Sequence, residues 1–354
     1  MTPLPFEPPL EPMLAKNADA IPDGGGGWLY EPKWDGFRTL VYFDGDEVYL
    51  QSRDLKPMGR YFPELVTGLR DALHAPVILD GEVVVMGAGG LDFGLLQMRI
   101  HPAESRIRKL SAEIPATFVA FDLLAEGDED LRDQPFEERH RRLLTATEGA
   151  GLPFILTPAT DDRALAQDWF TRFEGAGFDG VIAKRLVDRY QPGVRAMLKI
   201  KHLRTADCVV AGFRWQTKYE GEAVGSLLLG LYDDAGVLHH VGHTSSFTMA
   251  KKRELTALLA PYRTEDDTDG FGGGRTPGAP SRWSSGKDVA WNRLRPELVC
   301  EVSFDHLQGD RFRHGTTFQR WRPDKPPEDC TYSQLDVAAP AELRELLDDV
   351  RGPS

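Results

Sequence analysis

Lys33 lies in the segment YEPKWDGFR, residues 30–38, among residues that suit a reactive amine. If this segment is extended, Glu31, Lys33 and Asp35 point to one side, and Pro32 marks an edge strand or a connection because it cannot donate a ladder hydrogen bond. A lysine nucleophile must lose its proton near neutral pH, and cationic neighbours with partial burial lower its pKa. The segment therefore predicts a lysine nucleophile. The alternative is an ordinary hairpin, since Asp-Gly pairs also occur at 44–45, 80–81 and 269–270.

Three further lysines follow in strand-like patterns. The segment LKIK places Lys199 and Lys201 on one face of a strand, and FDGVIAK places Lys184 in a second strand after Asp179 in a turn. Two ammonium groups aimed together repel each other unless an anion such as phosphate lies between them. The pattern predicts a phosphate site, and the alternative is a pair of exposed strand lysines.

Carboxylates and a late basic motif complete the set of candidate residues. Asp80 and Glu82 share one face of a predicted strand at 77–85, where a carboxylate can bind a sugar hydroxyl or Mg²⁺. The alternative for this pair is a strand end that faces water. Near the end of the chain, the segment RWRPDK (320–325) adds the candidate residues Arg322, Asp324 and Lys325, and its alternative is a polar loop.

The elements that must position these residues mix strands and helices up to about residue 201. A hairpin is predicted around Asp44-Gly45, and capping signals predict helices between the strands. The predicted strands are 37–43, 47–53, 77–85 and 117–124, and the predicted helices are 130–148 and 161–176.

The pattern changes after residue 203, where short strands alternate with turns. Strands are predicted at 207–215, 225–232, 237–243 and 297–304, with one helix at 248–260. This order is typical of a small barrel such as an OB-fold. We therefore predict a first domain at 1–203, an OB-fold domain at 204–335 and a C-terminal helix or tail at 336–354.

Charge and cysteine content limit the class of protein. The net charge of −13, from 42 basic and 55 acidic residues, disfavours a nucleic-acid partner, but basic residues concentrate at 184–214 and 311–325. Those segments are compatible with nucleic-acid binding or with solvated charged faces. The three cysteines form no CxxC pair, no segment is apolar for long enough to span a bilayer, and a reducing cytoplasm fits both observations.

Seven short motifs occur in one order along the chain: KWDGFR (33–38), SR (52–53), DGE (80–82), FD (121–122), DGVIAK (179–184), LKIK (198–201) and RPDK (322–325). This series resembles the motifs of covalent nucleotidyltransferases and, more narrowly, those of ATP-dependent DNA ligases. The likeness is greatest to the short bacterial accessory ligases, including the ligase modules of bacterial end-joining enzymes. Each motif alone is weak, whereas seven in this order indicate the family.

The resemblance implies an α+β architecture, in which a nucleotidyltransferase (ATP-grasp-like ligase) domain of antiparallel sheets and helices precedes a β-barrel OB-fold domain. It also implies three chemical steps. Lys33 attacks the α-phosphate of ATP to form Lys-AMP, AMP passes to the 5′-phosphate at a DNA nick, and the 3′-hydroxyl then displaces AMP and seals the nick.

Residue roles follow from the same resemblance. Glu31 would read the adenine amino group, Phe121 would stack on adenine, and Glu82 would contact the ribose or a metal. Arg38 and Arg53 would hold the 5′-phosphate of the nick and nearby AMP atoms. Asp179 would help to bind Mg²⁺. The α-phosphate would be neutralised by Lys184, Lys199 and Lys201. The β- and γ-phosphates would be oriented by Arg322, Asp324 and Lys325.

The implied partner is nicked duplex DNA, with a DNA-repair polymerase or end-binding protein as further candidates. We expect a monomer without a membrane, in the bacterial cytoplasm at the nucleoid, with a role in repair. Two alternatives stay open: an RNA-capping guanylyltransferase, which shares the lysine motif and the OB domain, and a non-catalytic nucleic-acid-binding homologue.

Many ligases carry Glu where this chain has Asp179, and the short bacterial subgroup often has Asp.

Overall fold

The computed structural model describes residues 4–23, 25, 27–87, 90–172, 178–201, 204–266, 270–272, 277, 290–305 and 307–335. These residues belong to two compact units, the first up to residue 201 and the second at 204–335. The predicted C-terminal helix or tail at 336–354 lies outside the described residues.

The first unit contains the strands β1 (Leu14–Ala18), β2 (Trp28–Pro32), β3 (Phe37–Phe43), β4 (Val48–Ser52), β5 (Val77–Gly87), β6 (Gly90–Leu91), β7 (Ala116–Glu126), β8 (Glu129–Asp130), β9 (Phe154–Leu156), β10 (Val181–Arg185) and β11 (Arg195–Ile200). Its helices are α1 (Pro63–Ala72), α2 (Phe93–Met98), α3 (Glu104–Glu113), α4 (Phe136–Ala146) and α5 (Arg163–Arg172).

Two sheets form the body of the first unit. The larger follows the order β4-β3-β5-β7-β8, and the smaller follows β1-β11-β10-β2, with β2 at its edge. Leu40 and Ile78 of the larger sheet form a buried cluster with Met197 of the smaller sheet. The opposite face of the larger sheet packs against Leu65 and Leu69 of α1. Because both faces are covered, β5 and β7 are buried along most of their length.

The predicted hairpin is confirmed as β3 and β4, whereas the helix predicted at 130–148 is wrong at its start. Residues 129–130 form a short strand instead, and α4 begins at Phe136, directly after Pro135. Proline favours the start of a helix because it lacks an N–H and fixes φ, so the helix begins where the proline ends the preceding turn. The helix predicted at 161–176 is α5 over the described part, since residues 173–177 lie outside it.

The second unit contains β12 (Arg204–Trp215), β13 (Val224–Tyr232), β14 (Leu238–Thr244), β15 (Asn292–Phe304), β16 (Leu307–Gln308), β17 (Arg311–Phe312), β18 (Thr317–Trp321) and α6 (Met249–Leu259). Five of these strands form a sheet in the order β14-β13-β12-β15-β18, with antiparallel neighbours throughout.

This second sheet curls until its two edges meet. Thr244 at the end of β14 forms a bridge with Thr316, which directly precedes β18, and the Thr316 N–H donates to the His243 carbonyl at 3.0 Å. A sheet whose first and last strands pair is a barrel without open edges at that point. Leu255 and Leu259 of α6 are buried against the barrel core, and Cys208, Cys300 and Cys330 are free thiols within it.

Among the described residues, no helix is both long enough and apolar enough to cross a membrane.

Candidate active site

A cavity of about 280 Å³ opens in the first unit. Its walls come from β2, β3, β5, β7, β10 and β11, so both sheets contribute. Except for Asp80 and Asp179, every candidate residue of this unit lines the cavity: Glu31, Lys33, Arg38, Arg53, Glu82, Phe121, Lys184, Lys199 and Lys201. The fold therefore brings together residues that lie up to 170 positions apart in the sequence, from Glu31 to Lys201.

Lys33 is held at the end of β2 by its own backbone. Its N–H donates to the Gly180 carbonyl at 2.9 Å, and its carbonyl accepts from the Asp179 N–H at 3.1 Å. Gly180 has φ +125°, and a Cβ there would lie 1.9 Å from the Ile200 carbonyl oxygen. Only glycine fits this close approach, so the turn before β10 fixes Lys33 beside Asp179.

The side chain of Asp179 joins two lysines. Its Oδ2 atom lies 2.7 Å from Lys33 Nζ and 2.8 Å from Lys201 Nζ. Burial lowers the pKa of Lys199, and the charges of Lys201 and Lys33 lower it further. The ammonium groups of Lys33, Lys199 and Lys201 thus lie near one carboxylate, that of Asp179. The resulting excess of positive charge suits a phosphate. Asp179 was predicted as a metal ligand, and that role stays a prediction.

Lys184 lies in β10, and its side chain is held by several acceptors at the cavity wall. Its Nζ atom donates to Glu31 Oε1 at 2.9 Å and to the Phe121 carbonyl at 2.7 Å, and it lies 2.9 Å from Glu31 Oε2. These acceptors use all three donors of an ammonium group. In this geometry Lys184 orients Glu31, and its predicted contact with the α-phosphate stays a prediction.

Glu31 is almost completely buried. Burial raises its pKa to about 7, and the opposite effect of Lys184 offsets only part of that rise. The carboxyl group is thus an enclosed hydrogen-bonding group with a fixed orientation. Such a group suits the recognition of a base edge better than the binding of a charged phosphate.

Phe121 reaches the cavity because β7 contains a bulge. The pairing of β5 with β7 passes from Asp80–Asp122 to Gly81–Ala120, so Phe121 is the extra residue. A bulge re-aims a side chain out of the regular alternation. The Phe121 ring lines the cavity, and the Arg38 guanidinium lies 4.4 Å from its centroid.

A buried chain of hydrogen bonds orients Arg38. Its Nε and Nη2 atoms donate to Asp80 at 2.5 and 2.6 Å. Tyr190 also donates to Asp80, at 2.6 Å, and its hydroxyl accepts from the Met13 N–H at 2.9 Å. Asp80 is fully buried and raises the pKa of Arg38 despite the opposing effect of burial. Sequence reasoning found the Asp80 motif but missed Tyr190, which lies 110 residues away with no local signal.

Glu82 is the half-buried carboxylate of the cavity, and burial raises its pKa to about 7 although Arg38 and Lys33 act in the opposite direction. A divalent cation would favour its ionised form, so the side chain fits a metal ligand. Within the described residues, no group of three or more His, Cys, Asp or Glu side chains is arranged to hold a metal ion. A Mg²⁺ ion would therefore take its other ligands from substrate phosphates and water, as this ion commonly does.

Two wall residues were missed although the sequence signals them. Arg195 and Met197 precede Lys199 and Lys201 at intervals of two, so the strand period places all four on one face of β11 and its extension.

Arg53 lies at the exposed margin of the cavity, where its backbone N–H donates to the Arg38 carbonyl at 3.1 Å.

The remaining predicted residues lie in the second unit. Arg322 Nη1 donates to both carboxylate oxygens of Asp207 at 2.8 and 2.9 Å, and its Nη2 donates to Asp324 at 2.8 Å. The hydrogen bond from Arg322 lowers the pKa of Asp324 to about 2. The Lys325 N–H donates to the Arg322 carbonyl at 3.2 Å, so the three residues form one compact turn. Asp207 was not predicted, since it lies 115 residues from Arg322.

Comparisons with known proteins agree over nearly the whole chain. Residues 12–201 match the family described as ATP dependent DNA ligase domain, and residues 220–325 match the family described as ATP dependent DNA ligase C terminal region. DNA ligase C of Mycobacterium tuberculosis is 50% identical over 360 residues, which cover 98% of this chain and 99% of that protein. The multifunctional non-homologous end joining protein LigD of Mycobacterium bovis is 30% identical over 326 residues, which cover 90% of this chain and 39% of that protein.

One solved structure, described as "DNA binding with a minimal scaffold: Structure-function analysis of Lig E DNA ligases", has a TM-score of 0.56. It is 16% identical and covers 88% of this chain and 99% of its own. Together with the two family matches, this likeness confirms the predicted fold class, a nucleotidyltransferase domain followed by an OB-fold domain.

Proposed function

Because the chain belongs to the family of ATP-dependent DNA ligases, we propose that it seals nicks between a 5′-phosphate and a 3′-hydroxyl through a covalent Lys33-AMP intermediate. The enzyme class, ATP-dependent DNA ligase, follows from the family, while the intermediate, the metal and the residue roles are our proposals. The observation that carries them is the position of Lys33 Nζ in a cavity with Glu31 and Phe121, and with Lys199 and Lys201.

In the first step, the Lys33 amine attacks the α-phosphorus of ATP. A bond forms between Nζ and phosphorus, the bond to the pyrophosphate oxygen breaks, and pyrophosphate takes the electron pair. Asp179 Oδ2, at 2.7 Å, is the nearest acceptor for the proton that Nζ must release. The cations of Lys199 and Lys201 stabilise the charge that develops on the phosphate oxygens.

We propose ATP and Mg²⁺ as the ligands of this cavity. Glu31, fixed by Lys184, accepts a hydrogen bond from the adenine amino group, and Phe121 stacks on the ring, which contributes about 1–3 kcal/mol in comparable stacked bases. Glu82 and Asp179 are the candidate ligands of Mg²⁺. Asp179 would first have to break its ion pair with Lys33 or Lys201. When bound, the ion would neutralise phosphate charge.

In the second and third steps the cavity must hold the DNA end. Arg38, locked by Asp80, and Arg53 at the margin are our candidates for the 5′-phosphate of the nick. Because Nε and Nη2 of Arg38 donate to Asp80, its Nη1 atom is the group we propose for the phosphate. A guanidinium already held in position loses little further freedom on binding.

The domain assignment completes the proposal. We assign adenylation to residues 1–203, the OB-fold domain to 204–335 and a tail to 336–354, with Arg322, Asp324 and Lys325 orienting the β- and γ-phosphates in the first step. We further propose a monomer that acts on nicked duplex DNA in repair, at the bacterial nucleoid, with a repair polymerase or an end-binding protein as partner.

Incubation with ATP or GTP labelled at the α-phosphate tests the choice of nucleotide. We expect label on the protein from ATP, its release by pyrophosphate, and its transfer to nicked duplex. Label from GTP alone would support the guanylyltransferase alternative. A protein that binds nicked duplex and takes label from neither nucleotide would support the non-catalytic alternative.

A further inference from the structure

Four side chains with basic groups gather on one face of the second unit. Arg214, His243 and His240 pair with Ser226, Leu228 and Gly230, which alternate along β13. Directly paired residues of an antiparallel sheet share a face, so these three lie on one side of the barrel wall. Arg311 of β17 joins them through a hydrogen bond to His240 Nδ1. We name Arg214, His240, His243 and Arg311 the basic cluster.

Within the basic cluster, the Arg214 guanidinium is poorly compensated. Burial lowers the pKa of Arg214, and its Nε atom has no hydrogen-bond partner among the described residues. Burial also lowers the pKa of His243, and the charges of Arg214 and Arg311 lower it further. Proteins usually place a carboxylate beside a half-buried guanidinium, so this arrangement suits an anion from outside.

His240 gives an independent sign of a missing acceptor. Arginine can only donate, so the bond from Arg311 requires an unprotonated Nδ1 on His240 and leaves the proton on Nε2. The neutral ring is consistent with a pKa lowered to about 3, chiefly by burial and then by Arg311 and Arg214, while a hydrogen bond with the Gly242 backbone acts in the opposite direction. His240 is only 6% exposed, and its Nε2 donor has no partner among the described residues. A buried donor without an acceptor is rare in native proteins and points to a group that is supplied on binding.

We propose that the basic cluster binds a backbone phosphate of the DNA duplex. Arg214, His243 and Arg311 keep partial exposure, so an anion that arrives from solvent meets them before it reaches the buried His240. The inference rests on the proposed function, because a ligase must hold duplex beyond the nick itself. On a chain of net charge −13, a local cation cluster is required to hold such a polyanion.

The test uses Arg214→Gln and His243→Gln in the full chain, with equilibrium binding to a nicked duplex measured at several salt concentrations. Each variant should lose about fivefold to tenfold in affinity at low salt, and Arg214→Gln should reduce the slope of log K against log salt by about one. Arg295→Gln is the matched control, since Arg295 is half-buried and already paired with Glu297 at 2.6 Å. It changes the net charge as Arg214→Gln does and should leave both affinity and slope unaltered.

Adenylation of Lys33 should be the same in all three variants, and unfolding curves establish that each is folded. Both cluster variants binding with wild-type affinity and slope would overturn the inference. So would binding of inorganic phosphate that depends on Arg214 while duplex affinity does not, because the site would then serve a free anion. Failure of the wild-type chain to adenylate or to seal nicks would instead overturn the proposed function.

Discussion

At the scale of single residues, the cavity depends on side chains that hold other side chains. Tyr190 supports Asp80, which in turn grips Arg38, and Lys184 supports Glu31. In both pairs a buried partner fixes the orientation of a group that faces the cavity. Such support reduces the freedom that Arg38 or Glu31 must lose when a ligand binds.

Tyr190→Phe tests this support for Arg38. Removal of the hydroxyl leaves the Met13 N–H without its acceptor and takes one donor from Asp80. We expect a loss of about 1–3 kcal/mol in the free energy of unfolding, since a buried polar group is left unpaired, together with slower nick sealing. Urea unfolding and sealing rates measure the two effects.

Tyr49→Phe is the matched control, because Tyr49 is 37% exposed. It should change neither quantity appreciably. Equal effects of the two substitutions would contradict the role assigned to Tyr190.

His140 makes stability depend on pH. Burial lowers its pKa from 6.5 to about 4, and the charge of Lys184 acts in the same direction. Between these values the unfolded chain binds a proton that the folded chain does not, so stability falls as the pH falls. The slope from this one group approaches about 1.4 kcal/mol per pH unit at most.

His140→Gln should therefore reduce the loss of stability between pH 7 and pH 5, as measured by thermal unfolding at both values. The exposed His74, changed to Gln, serves as the control and should leave the pH dependence unchanged. An identical pH dependence in His140→Gln and the wild type would contradict a neutral, buried His140.

At the scale of elements, the turn before β10 links the smaller sheet to Lys33. Gly180→Ala should displace this turn, because its Cβ would collide with the Ile200 carbonyl at 1.9 Å. We expect a loss of about 2–5 kcal/mol in unfolding free energy and a large loss of adenylation, since Asp179 and Lys33 both move with the turn. Unfolding curves and labelling by ATP measure the two losses.

Gly127→Ala is the control for backbone strain alone. Gly127 also has a positive φ, +60°, but no atom lies within 4 Å of its added Cβ. It should cost about 1–2 kcal/mol and leave adenylation intact. Normal adenylation in a folded Gly180→Ala chain would contradict the proposed importance of the turn.

The two-residue alternation of side chains along a strand predicted the site residues that lie on a single strand. Lys199 and Lys201 both line the cavity, as their alternation required, and the same rule applied further back would have found Met197. The bulge that turns Phe121 inward depends on the register of β5 against β7, which no local pattern encodes. The bonding of Lys184 to Glu31 joins positions 153 residues apart, so it emerges only from the folded sheet.

At the scale of the whole molecule, catalysis is proposed to use both units in the first step only. In the second unit, hydrogen bonds to Asp207 and Asp324 fix the orientation of Arg322. We expect Arg322→Ala to slow adenylation by ATP at least about 100-fold, through lost stabilisation of the leaving pyrophosphate. Sealing of a nick that already carries AMP on its 5′-phosphate should be nearly normal.

Arg320→Ala is the matched control two positions earlier, since Arg320 is exposed and pairs with Glu301 at 2.6 Å. Both reactions should proceed in it at the wild-type rate. Equal loss of both reactions in Arg322→Ala would contradict a role confined to the first step.

Peptide mapping of the protein after incubation with labelled ATP shows whether the Lys33 amine becomes bonded to AMP. We expect one adduct of AMP mass on the peptide that contains Lys33, its loss on addition of nicked duplex, and no adduct or sealing in Lys33→Arg. An adduct on a different residue, or sealing of nicks by Lys33→Arg, would contradict the proposed Lys33-AMP intermediate.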